Sequence, residues 1–110
     1  MQHDLIVYIE DILSSINAIE EYSKSHDFES YKANRMVKKA VERELEIIGE
    51  AMNSILKINP EIAVTNSRKI VDLRNLISHG YATVNDRIVW SVVTNNLLIL
   101  KKEMENLNNS

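Results

Sequence analysis

The stretch Met36-Val37-Lys38-Lys39-Ala40-Val41-Glu42-Arg43-Glu44-Leu45-Glu46-Ile47-Ile48-Gly49-Glu50-Ala51-Met52-Asn53-Ser54-Ile55 decides how this chain folds. Val37, Val41, Leu45, Ile48, Met52 and Ile55 recur at steps of four and three, the period of an amphipathic α-helix. Asn59-Pro60 closes it, because proline disfavours helical dihedrals in the residue before it. Upstream, Leu5, Ile9, Ile12, Ile16 and Ile19 repeat the pattern, with Ile6 and Leu13 beside them, and predict a helix from about Asp4 to Ser25. The polar residues 25–30 separate the two. Downstream, a third helix starts at Thr65 or Asn66, either one a suitable N-cap, and carries Ile70, Leu73 and Ile77. It should end near Gly80, since glycine accepts the left-handed conformation that terminates helices. A fourth begins at Asn85 or Asp86 and presents Val89, Val93, Leu97, Leu100, Met104 and Leu107. The expected fold is all-α: one domain over residues 1–110, an antiparallel up-and-down bundle of four main helices with short loops.

Composition agrees. Two Gly and one Pro in 110 residues are too few for the turns of an all-β sandwich or barrel. The absence of cysteine removes disulfides, thiolate zinc sites and thiol nucleophiles together, and suits a reducing cytoplasm. The first residues lack the basic and apolar regions of an export signal. Residues 88–100, the longest charge-free apolar stretch, are too short and too interrupted by polar residues for a membrane span of about 20 residues. Met36, Ala40, Ile47, Ala51, Ile88, Val92 and Ile99 widen the apolar stripes beyond what one small bundle covers, which points to a homodimer.

The net charge of −3 argues against a nucleic-acid ligand until it is divided along the chain. Residues 1–55 hold 6 Lys/Arg against 11 Asp/Glu, whereas residues 56–110 hold 7 against 5. An anionic ligand therefore belongs in the second half or between subunits. Arg35, Lys39 and Arg43 form a basic line at i, i+4 spacing beside the mostly acidic line Lys38, Glu42, Glu46 and Glu50. They read either as a solvated face with a Lys38 to Glu42 pair or as a track for phosphates.

Of three histidines, His3 lies in an N-terminal arm and His26 in a polar loop. His79 ends the third helix in Asp72-Leu73-Arg74-Asn75-Leu76-Ile77-Ser78-His79-Gly80-Tyr81, where an arginine, an amide, an imidazole and a phenol gather within eight positions. Asn75 and His79 share one face, so the amide can fix the imidazole tautomer or hold a ligand oxygen. Arg74 stands about 140° away from His79 on an ideal helix. Its long side chain, a distorted last turn or a second copy must join the two. Imidazole moves protons near neutral pH and guanidinium neutralises an oxyanion, which suits phosphoryl chemistry without metal or cofactor. RNA brings its own nucleophile, the 2′-hydroxyl. The plainer reading is that both side chains merely favour the helix C-terminus and a carboxylate such as Asp72.

Arg74-x4-His79-x-Tyr81 resembles the R-x4-H-x-Y signature of the HepT-like toxins, a branch of the HEPN ribonuclease superfamily. Residues 43–51 are similar to that family's block ending in I-G-E-A, Arg74-Asn75 to its R-N pair, and residues 84–90 to its segment ending in a hydrophobic residue and Trp. Asn85 stands where the family often has Asp, and both residues cap helices. The resemblance implies an all-α HEPN homodimer whose Arg/His motifs face each other across a cleft, and metal-independent endoribonuclease activity. It makes His79 the general acid/base, Arg74 the transition-state stabiliser and Asn75 an orienting residue. It also implies a type VII-like toxin–antitoxin pair, in which an MNT-type minimal nucleotidyltransferase antitoxin transfers AMP to Tyr81. The alternative is a non-catalytic HEPN module that dimerises and docks a nucleotidyltransferase or binds nucleotide phosphates. Trp90 reads as core, Gly49 as a site of close helix packing, and Glu50 as structural, as an arginine's partner or as antitoxin surface.

Overall fold

The computed structural model describes residues 3–79 and 84–109. They form α1 (His3–Ser23), α2 (Phe28–Ala33), α3 (Arg35–Ile58), α4 (Ser67–His79), α5 (Asp86–Ser91) and α6 (Leu97–Asn108), with a π-helical turn, Val92–Asn96, between the last two. Ser91, Val92, Asn96 and Leu97 keep right-handed helical dihedrals, so α5, the π turn and α6 run on as one rod. The all-α bundle expected from the apolar periodicity is present, and its four long segments are the four that the pattern marks.

Local chemistry sets the boundaries. The Asp27 carboxylate accepts the Ser30 N–H at 2.8 Å, and Ser30 Oγ accepts the Asp27 N–H at 3.1 Å. This reciprocal capping box starts α2 inside the stretch that reads as a polar interruption. Asn34 is extended, separates α2 from α3, and caps α3 by accepting the Val37 N–H at 3.1 Å. Ahead of α4, Asn66 has φ +60°, the left-handed region, instead of the extended geometry usual at an N-cap. Thr65 gives its N–H and hydroxyl to Glu103 at 2.9 and 3.0 Å, which ties the α3–α4 connection to α6. Asn85 caps α5, accepting the N–H groups of Arg87 and Ile88.

Helix α3 is the centre: α1 and α4 pack on it, and α6 packs on α1. Ile9, Ile12, Ile16 and Ile19 of α1 meet Val41, Leu45, Ile48, Met52 and Ile55 of α3 in one core with Leu97, Leu100 and Met104. Each such side chain, fully buried, stabilises by roughly 1.5–3 kcal/mol before conformational entropy opposes it. The molecule is only 19 Å across its thinnest dimension, about two helix diameters. A slab this thin leaves its helices broadly exposed on the outside.

Helix α2 fastens α5 to α3. The Tyr31 and Trp90 rings stack with centroids 4.9 Å apart, and the Arg87 guanidinium lies 4.6 Å from the centre of the Phe28 ring. Trp90 is thus packing, as its position suggests. Lys38 pairs with Asp86 at 3.2 Å, and Glu42 takes Lys39 at 3.6 Å. The Lys38 to Glu42 pair expected from helix spacing is therefore replaced, because Asp86 offers Lys38 a half-buried partner on another helix. Of the residues expected as surplus apolar surface, Met36, Ile88 and Ile99 are exposed and Ala40, Ile47 and Val92 half-buried, whereas Ala51 is buried in the core. No described helix is long and apolar enough to cross a membrane.

Candidate functional site

Helix α4 meets α3 at Gly49. A Cβ on Gly49 would collide with Cβ and Cγ of Arg74 and lie 3.3 Å from the Ile70 carbonyl oxygen. The missing side chain lets the Arg74 stem cross α3. Two carboxylates one turn apart on α3 then reach two residues one turn apart on α4. Glu50 Oε1 lies 3.6 Å from Arg74 Nη2, and Glu46 Oε2 accepts the Ser78 hydroxyl at 2.8 Å. Arg74 Nε is buried and has no partner among the described residues. Its Nη1 donates to the side-chain oxygen of Asn75 at 3.0 Å.

His79 Nδ1 lies 3.2 Å from the backbone oxygen of Asn75, one turn earlier. A carbonyl can only accept, so this bond needs the proton on Nδ1 and leaves Nε2 of the neutral ring as a base. The link between Arg74 and His79 therefore runs through Asn75, whose side chain holds the guanidinium and whose backbone holds the imidazole. The amide itself is committed to the arginine; the carbonyl fixes the tautomer. This connection joins side chains that point in directions about 140° apart on the helix.

Asp72, Asn75, Leu76 and His79 line a shallow groove of about 310 Å³. Asp72 and Leu76 also border a second groove of about 410 Å³ between α4 and the α5–π segment. Leu73, Leu76, Ile88 and Val92 give that groove an apolar lining, joined by Lys69 and Arg87. Lys69, Arg87 and the Glu46 to Ser78 contact are absent from the residues singled out by sequence; the i, i+4 spacing of Glu46 and Glu50 was the available signal. His26 serves the α2 cap instead, its Nδ1 2.9 Å from Ser30 Oγ. Tyr81 and Gly80 lie outside the described residues. Among the described residues no three His, Asp or Glu side chains gather in a way that could hold a metal ion.

The described residues thus form a small α-helical bundle whose α4 carries an arginine, an amide and an imidazole within six positions, with the imidazole beside an open groove. The model of the family described as "Ribonuclease HepT-like" matches residues 12–107, and the chain belongs to the HepT-like ribonuclease family. It is 35% identical over 104 residues to "Probable ribonuclease HepT" of Thermococcus cleftensis, covering 91% of this chain and 92% of that protein. It is 32% identical over 105 residues to "Putative RNase MJ1380" of Methanocaldococcus jannaschii, covering 94% and 96%. It is 29% identical over 101 residues to "Putative RNase TTE0752" of Caldanaerobacter subterraneus, covering 91% and 90%. No solved structure matches the chain.

Proposed function

We propose that this chain is a metal-independent endoribonuclease of toxin type in which Arg74 and His79 are the catalytic pair and Asn75 orients them. The observation that carries the reading is the double hold of Asn75, on Arg74 Nη1 at 3.0 Å and His79 Nδ1 at 3.2 Å, beside an open groove. His79 Nε2 takes the proton of a ribose 2′-hydroxyl. The 2′-oxygen attacks phosphorus, the P–O5′ bond breaks, and the products are a 2′,3′-cyclic phosphate and a 5′-hydroxyl. Arg74 neutralises the charge gathering on the phosphoryl oxygens. The 5′-oxygen needs a proton from a second acid. A homodimer with facing α4 helices supplies it as the other subunit's imidazole, and the exposed Leu76 and Ile88 favour such a pairing.

Control follows from the motif's third member. In a type VII-like toxin–antitoxin pair, an MNT-type nucleotidyltransferase antitoxin would join the Tyr81 oxygen to the α-phosphorus of ATP and release pyrophosphate. The adenylate adds negative charge and bulk to the motif and excludes the RNA backbone. Such a pair acts in the cytoplasm. A second reading, a non-catalytic module that docks a nucleotidyltransferase or holds nucleotide phosphates, draws support from the partial engagement of Arg74 by Glu50.

One comparison separates the two. In EDTA, the purified chain should cut an RNA strand and spare the 2′-deoxy strand of the same sequence, which lacks the nucleophile. RNA left whole, yet bound, would favour the module.

A further inference from the structure

The arginine that the proposed reaction needs is not simply free on the surface. Arg74 carries five N–H donors. The one on Nε is buried and without a partner among the described residues, Nη1 spends one on Asn75, and Nη2 faces Glu50. The second hydrogen on Nη1 and those on Nη2, which Glu50 approaches at 3.6 Å without a hydrogen bond, are left for an outside acceptor. Gly49 fixes the stem from below, since the bare Cα lets the aliphatic part of Arg74 lie against α3. The buried Nε, the stem packed against α3 and the Asn75 bond restrain the guanidinium, and the Glu50 carboxylate faces it from the α3 side.

We propose that Glu50 is a positioning residue: its carboxylate on α3 aims the Arg74 guanidinium so that its unbonded Nη hydrogens meet the phosphoryl oxygens of the bound strand. The separation of 3.6 Å suits that role. It is close enough to steer a cation and too long for the tight bidentate pairing that would use up both donors. The Glu46 to Ser78 contact at 2.8 Å, one turn along the same pair of helices, adds a second tie between α3 and α4 beside the close packing at Gly49. Aspartate at position 50 is one methylene shorter and leaves the guanidinium loosely held; glutamine keeps the shape and loses the charge.

This inference rests on the ribonuclease reading, and two measurements keep them distinguishable. The first needs no activity: the Nη proton resonances of Arg74 in the intact, isotope-labelled chain. Restricted rotation predicts resolved Nη signals that merge in Glu50→Ala and Glu50→Gln. Signals identical in the parent and both variants would overturn the positioning role, whether or not RNA is cut. The second is RNA cleavage in EDTA. Misaiming a catalytic group by about 1 Å can slow a reaction roughly a hundredfold. Glu50→Gln, which preserves packing, should lower kcat by about tenfold to a hundredfold with KM nearly constant. Glu20→Gln, which breaks the remote α1–α6 pair with Lys101, should leave kcat unchanged. A Glu50→Gln variant with the parent's kcat would overturn the proposal. If the parent leaves RNA whole while the Nη signals still merge in the variants, the ribonuclease reading fails and Glu50 keeps its hold on Arg74.

Discussion

Arg74 of α4 lies across Gly49 of α3 at a distance that admits no β-carbon between them. The two residues thereby set how closely α4 approaches the central helix, and with it where the guanidinium sits. Gly49→Ala should push the helices apart. Overpacking of this kind costs about 1–3 kcal/mol, so the urea midpoint should fall accordingly. Arg74→Ala should not rescue it, because the colliding Cβ remains. A Gly49→Ala midpoint equal to the parent's would show that α4 yields freely.

Asn75 should divide its two roles on mutation. Asn75→Ala removes the side-chain acceptor of Arg74 and keeps the backbone carbonyl that holds His79 Nδ1. Hydrogen bonds to charged groups contribute about 1.5–3 kcal/mol, which corresponds to roughly a tenfold to hundredfold drop in kcat. The pH dependence of cleavage should keep its shape, since the imidazole's contact survives. An unchanged kcat would remove Asn75 from the orienting role.

Much of this was legible in the sequence. The spacing of apolar residues identifies the four long helices because burial on one helical face requires it, and Arg74, Asn75 and His79 stand out because a single helix brings them close. Helix α2 was not legible: six residues are too few for a period, and it depends on the reciprocal Asp27 and Ser30 bonds. The π turn at Val92–Asn96 was hidden too, since adding a residue to a turn changes where side chains face without changing what they are. Lys38 shows the limit of helix-local rules. A partner four residues away was available, and Asp86, forty-eight residues on, offered the better setting. Which cross-helix partner Glu50 takes likewise depends on register, which only packing decides.

Tyr31 gives a test of the α2–α5 junction. Its side chain is fully buried, and its hydroxyl has no partner among the described residues. Burial, with Glu42 and Asp86 nearby, pushes the phenol far above its ordinary value of 10.0. The unfolded chain therefore releases this proton first, so stability falls as pH rises past that value. Tyr31→Phe should lose this alkaline component. At neutral pH it should be at least as stable as the parent, because an unsatisfied buried hydroxyl costs about 1–3 kcal/mol. Thermal unfolding against pH measures both; a clearly lower melting temperature at pH 7 would mean that the hydroxyl contributes a bond.

The central claim is that Arg74 and His79 cut RNA without a metal, and RNA cleavage in EDTA by the parent, His79→Ala and Arg74→Ala tests it most directly. Circular dichroism verifies that each is folded, and mass measurement verifies that Tyr81 is unmodified. The parent should leave 2′,3′-cyclic phosphate ends, and each variant should be slower by about a hundredfold or more, the scale of losing a proton carrier or an oxyanion stabiliser. Intact RNA with the parent, or equal cleavage by all three, would contradict the account.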